Sequence, residues 1–164
     1  MARTTFDGPV RTLKGFIATG NVMGQAIGAG TVNGATDIDK YQGRAVTIGN
    51  TTTVFNLPEI VSDTNTTPNT LSTIGLEYTF LMTANLSGET FTLNAGTAAG
   101  RSTADVFQGT AQYVDTGDNS MEGFNAAGAD TLTLDGSTRG GLGGSIVYCR
   151  AVGANIWLIQ CALN

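Results

Sequence analysis

The stretch 131-TLTLDGSTRGGLGGSIVYCRAVGANIWLIQCAL-163 holds the only tryptophan of the chain, both cysteines and its densest apolar run. Thr131–Leu134 alternates Thr with Leu, which gives a strand one polar and one apolar face. Asp135-Gly136 supplies a turn, because both residues tolerate positive φ. A glycine-rich loop then runs through Arg139 to Ser145. Ile146–Val152 predicts a second strand, Gly153-Ala154-Asn155 a turn, and Ile156–Leu163 a third strand. On that third strand Trp157, Ile159, Cys161 and Leu163 share one face, while Ile156, Leu158 and Ala162 share the other. A strand apolar on both sides is either a central core strand or one whose face meets another subunit. Each large side chain, once buried, contributes roughly 1.5–3 kcal/mol.

Upstream, short alternating runs continue. Ala45–Ile48 and Val54–Leu57 read as strands on either side of a Gly-Asn-Thr-Thr-Thr turn, and Pro58 ends the second. Leu76–Ala84 puts Leu76, Tyr78, Phe80 and Met82 on one face, and Thr90–Ala95 does the same with Phe91 and Leu93, so the two are expected to form a hairpin. Residues 62–73 are a polar loop. TADVFQG, 103–109, has the composition of one helical turn, Thr110–Asp115 that of a short strand, and Asp115 to Gly128 that of a loop. Residues 20–34 are nearly all small and read as a loop. Strands recurring every 8–15 residues with turn residues between them predict an all-β, single-domain β-sandwich or jelly roll over 21–164. Residues 1–20 are expected to form an extended N-terminal arm. No fixed-period repeat or heptad is visible, which counts against a solenoid or a coiled coil.

Composition agrees. The chain has 164 residues, 23 of them Gly and 3 Pro, and charged residues make up only 13%, about half the usual share. Thr, Asn, Ser and Gly carry the polar surface instead. Net charge is −5, and it is segregated: the arm carries Arg3, Arg11 and Lys14 against Asp7, whereas the remainder is acidic. Nucleic acid is therefore not the expected partner, but a basic arm can dock on an acidic surface. No apolar run is long enough to span a membrane. The start lacks a signal-peptide core, so synthesis and folding in a cytoplasm are expected.

Much familiar chemistry is missing. The chain has no His, which removes Ser–His–Asp and Cys–His catalysis and imidazole metal ligands. Cys149 and Cys161 sit on neighbouring strands, either on opposite faces or on one face offset by one pair. Both geometries exceed the ~7 Å reach of a disulfide, so both are read as reduced core residues. Asp115-Thr116-Gly117 matches the short aspartic-protease signature, and Asp37 with Asp39 has the spacing of a Ca²⁺ or glycosidase carboxylate pair. In both cases a polar turn is the favoured reading. Asn50, Asn65 and Asn85 begin formal glycosylation sequons, and GQAIGAG lacks the Gly-Lys-Ser/Thr of a phosphate loop. Neither a cofactor nor a metal site is expected.

The segments 44-RAVTIGNTTTVFNLPEI-60, 75-GLEYTFLMTA-84, 89-ETFTLNAG-96 and 130-DTLTLDGSTRGGLGGSIVYCRAVGANIWLI-159 together resemble a group of small all-β virion proteins of tailed bacteriophages. The recurring order is a strand closing in Leu-Pro, a Gly-led aromatic strand, a Thr-Leu-Asp-Gly turn, a Gly-rich loop and a Trp-bearing strand. FDGPVRTLKGF, 6–16, also looks like the start of phage structural proteins. This chain departs at its IQCALN end, where that group is more polar. The resemblance implies a non-enzymatic capsid decoration (cement) protein. It would bind the major capsid protein on the outside of a phage head as a homotrimer, reside on the virion and be made in the host bacterial cytoplasm. On that reading Arg3, Phe6, Arg11, Lys14 and Phe16 form the capsid-binding arm, and Trp157, Ile159 and Leu163 the oligomer interface. The alternative is a fibre or tail-appendage module that binds host surface glycans through Tyr41, Tyr113 or Phe124. An acid protease or glycosidase is the third reading.

Overall fold

The computed structural model describes residues 25–34, 41–60, 74–95, 105–115, 120–153 and 155–164. The expected arm, including Arg3, Phe6, Arg11, Lys14 and Phe16, lies outside the described residues, as do Asp37, Asp39 and Asn65. The protein is all-β with mixed sheets. The strands are β1 (Gln25–Ile27), β2 (Gly30–Asn33), β3 (Ala45–Ile48), β4 (Thr53–Asn56), β5 (Glu77–Met82), β6 (Phe91–Asn94), β7 (Val106–Asp115), β8 (Ser120–Ala129), β9 (Thr131–Leu134), β10 (Ile146–Gly153) and β11 (Ile156–Leu163). They form a seven-stranded sheet in the order β1-β3-β5-β10-β11-β7-β8 and a four-stranded sheet in the order β2-β4-β6-β9.

The first six strands alternate between the two sheets. β1, β3 and β5 stack in parallel in the larger sheet, and β2, β4 and β6 stack in parallel in the smaller one. The chain therefore winds through three successive coils, each giving one strand to each sheet. This corrects two expectations. The stretch is solenoid-like, although no repeat period is visible, and a jelly roll is antiparallel throughout, a pattern these parallel ladders do not follow. Nor do β5 and β6 form the expected hairpin: they lie in different sheets, and residues 83–90 carry the chain from one to the other. The coils are tied on the outer face of the smaller sheet by a polar ladder, in which Asn33, Asn56, Asn94 and Thr131 align in register. Asn94 Nδ2 donates to Asn56 Oδ1 at 2.8 Å, and the Thr131 hydroxyl donates to Asn94 Oδ1 at 3.2 Å.

Three local expectations also change. Residues 106–109 are strand rather than helical turn, and 120–129 are strand rather than loop, pairing antiparallel with β7. β1 and β2 occupy the glycine-rich stretch read as a loop. Gly and Ala dominate β8 and the 25–34 stretch, so neither carries the alternating apolar signal that marks a strand in sequence.

The core lies between the sheets. Phe55 of β4 meets Phe80 and Tyr78 of β5, with ring centroids 4.9 and 5.5 Å apart, and Phe80 meets Phe91 of β6 at 5.2 Å. β11 runs between β10 and β7, antiparallel to one and parallel to the other. Its Trp157, Ile159, Cys161 and Leu163 are all buried. Of the two roles open to this strand, the central core strand is the one it takes for this face. The expected oligomer interface at Trp157, Ile159 and Leu163 is thereby corrected. These side chains are 0%, 2% and 4% exposed within a single chain and have no surface left for a partner.

Candidate functional site

Cys149 and Cys161 are free and buried. Cys149 pairs with Ile159 and Val147 with Cys161, so the thiols share the core face offset by one pair, one of the two placements expected. Burial pushes both thiols upward, Cys161 to about 12, and the neighbouring Cys161 raises Cys149 further. Neither is a nucleophile at neutral pH. Asp115 closes β7 opposite Ser120 of β8. That places the first residue of the Asp-Thr-Gly match at the end of a hairpin, and residues 116–119 lie outside the described set. Among the described residues no three His, Cys, Asp or Glu cluster as metal ligands, and no helix is long and apolar enough to cross a membrane.

A cluster of five hydrogen bonds surrounds Asp135, in the turn after β9. Its Oδ1 accepts from the backbone N–H groups of Ser137, Thr138 and Arg139 at 2.9, 2.9 and 3.0 Å, and from the Ser137 hydroxyl at 3.1 Å. Its Oδ2 accepts from the Thr138 hydroxyl at 3.0 Å. Partial desolvation pushes this carboxyl up, but the donors outweigh it and hold the pKa at about 2. Gly136 follows with φ 70°, and a Cβ there would lie 2.3 Å from the Leu86 carbonyl oxygen. The Asp-Gly pair is thus required by geometry, and the cluster is a structural turn.

A pH-dependent prediction arises here. A carboxyl whose folded pKa is depressed stabilises the fold above its unfolded value, and that stability is lost as pH falls towards the folded value. Asp135→Ala should cost about 1 kcal/mol at pH 7, at the low end for a charge-assisted cluster facing solvent. The difference from wild type should shrink as pH falls from about 4 to about 2. Urea unfolding at pH 7 and pH 2.5 measures it, and an equal loss at both would rule out the ionised turn.

The candidate glycan aromatics separate. Tyr41 is buried and packs edge-on against Phe55 at 5.5 Å, so its place on an exposed groove is corrected. Tyr113 is half-buried and lines a hollow of about 150 Å³ with Gln112, Met121 and Leu163. Phe124 lies in β8, with its side chain outside the described residues. Of the sequons, Asn50 is exposed. Asn85 accepts from the Gly143 N–H at 2.8 Å and ties two loops together.

What sequence reading missed is the outer face of the seven-stranded sheet. There a hollow of about 350 Å³ lies over Ala162, walled by Ile146, Gln160, Thr110 and Gln112. Ile146, Val152 and Met121 are exposed at 40%, 46% and 71%. The sequence signal of this face is the apolar Ile156, Leu158 and Ala162 of β11, weaker than the bulkier Trp157, Ile159 and Leu163 on the opposite face. No known protein family, curated protein or solved structure matches the chain.

Proposed function

We propose that this chain is a non-enzymatic virion structural protein. It is a capsid decoration protein that binds the outside of a phage head and acts as a homotrimer, with its two sheets forming a β-sandwich. The observation that supports this reading most is the segregation of charge. Arg3, Arg11 and Lys14 face a single acid, Asp7, within residues 1–20, while the chain as a whole is −5. A basic segment joined to an acidic β-body is suited to fastening the body onto another surface, and many copies on a shell multiply a modest contact. The small share of charged residues, 13% of the chain, fits a surface meant to be covered.

Deletion of residues 1–20 tests the arm. The truncated chain should keep its circular dichroism spectrum and its number of copies per oligomer, yet bind phage heads at least tenfold more weakly in a pelleting assay. The full chain's binding should weaken with added salt, as exposed charges are screened. Equal binding by both forms removes the arm from the proposal. The reading as a host-glycan module is favoured by one observation, the Tyr113 hollow with Gln112 beside it. A glycan-array signal lost in Tyr113→Ala would support that reading instead.

A further inference from the structure

We infer that copies of this chain associate through the outer face of the seven-stranded sheet, with the hollow over Ala162 at the centre of the contact. The inference rests on the oligomeric part of the reading above and gives it a surface.

Register builds this face. One cross-strand row runs Thr47, Leu81, Ile146, Ala162, Gln112, Gly123 from β3 to β8. At a strand spacing of about 4.8 Å it spans about 24 Å. It contains no ionisable residue. The next row, from Ala45 through Tyr148 and Gln160 to Asn125, contains no residue charged at neutral pH. The third holds Glu77 and Arg150, which pair at 3.3 Å and cancel. Six strands thus present a broad face of no net charge.

Two features select a second copy as the occupant. First, the chain carries −5, so two copies have like net charge and repel on approach. A face of no net charge is where that repulsion is least. Second, three of the four exposed large apolar side chains among the described residues, all but Ile74, lie there. Ile146 lies in the first row, Val152 further along β10, and Met121 shares the outward side of β8 through its pairing with Val114, two residues from Gln112. Exposed Ile and Met beside a hollow floored by Ala give one patch both projections and a recess. In a closed three-fold ring the contact is heterologous, so the projections of one copy enter the recess of the next, and this face carries both. The uncharged centre also matches the depletion of charge at the cores of protein interfaces.

The full-length chain is tested by sedimentation, with Ala162→Arg filling the hollow, Ile146→Lys charging its wall, and Thr31→Arg as a control. Thr31 is exposed on the outside of the other sheet. All three positions face solvent, and thermal melts check that each variant is folded. The wild type and Thr31→Arg should sediment as the same oligomer. The other two should need at least tenfold higher concentration to associate. A monomeric wild type overturns both this inference and the trimer. Wild-type association in both Ala162→Arg and Ile146→Lys overturns this face alone. If those variants keep their mass but no longer pellet with heads, the face belongs to the capsid protein and the inference falls. An oligomer that dissociates as expected but never binds heads leaves the inference standing and removes the decoration reading.

Discussion

Trp157→Ala should destabilise the protein by about 4 kcal/mol, a large part of the 5–15 kcal/mol typical of a domain. Trp157 is fully buried in the middle strand of the C-terminal half of the sheet. Register sets Ala151 on one side of it and Phe107 on the other, and its ring lies 5.9 Å from that of Tyr78. Neighbours held by ladders on both sides cannot close over the void, so the cavity cost adds to the lost transfer energy. The indole N–H has no hydrogen-bond partner among the described residues. Trp157→Phe should therefore cost far less, about 1 kcal/mol, because it removes an unpaired donor along with some volume. Urea unfolding followed by far-UV circular dichroism separates the variants. A loss below about 1 kcal/mol for Trp157→Ala would show that the strand turns its other face inward.

Gly109→Ala should be nearly as damaging, at about 3 kcal/mol or more. Gly109 sits inside β7, where it pairs with Ile159 of β11. Its φ is 144°, and a Cβ there would lie 1.9 Å from the Ile159 carbonyl oxygen. The obstacle is backbone, so no side chain can move aside. The β7–β11 ladder must open locally, and β8, which pairs only with β7 among the described strands, goes with it. Gly123 is the matched control on β8: a Cβ there meets the Ala111 carbonyl oxygen at 3.5 Å, an ordinary contact. Gly123→Ala should stay within about 0.5 kcal/mol of wild type. If both glycines tolerate alanine equally, the parallel register of β7 on β11 is wrong.

Several strands could be read directly from the sequence. β3, β5, β6, β9, β10 and β11 fall where short alternating or continuously apolar runs bounded by turn residues predict them. Alternation says which residues share a face, but not which strand lies alongside, so the supposed hairpin of β5 with β6 was indistinguishable from strands in two different sheets. The coils escaped notice because their spacing is uneven. Gln25 aligns with Val46, but Ala45 with Thr79, across a much longer insertion. A faint trace survives in Thr31-Val32-Asn33, Val54-Phe55-Asn56 and Thr92-Leu93-Asn94, whose Asn residues form the ladder. The choice between the two apolar faces of β11 was likewise open. Bulk settled it: Trp157 and its neighbours fill the core, leaving the smaller Ala162 outside.

The order of strands across the larger sheet has a consequence for how the chain reaches its native state. β5 is adjacent to β10, and β7 to β11, so the β10–β11 hairpin is the keystone between the three coils and the β7–β8 pair. Until those residues leave the ribosome, one edge of β5 and one edge of β7 have no native partner among the described strands. Loops of more than forty residues must then close at once, since Ile146 joins Leu81 and Ile156 joins Val106. Contacts so distant in sequence make for slow folding, and open strand edges on a nascent chain invite pairing with other chains. Refolding from urea should therefore be slow and concentration-sensitive, and productive folding in a cell should begin only after synthesis of the hairpin.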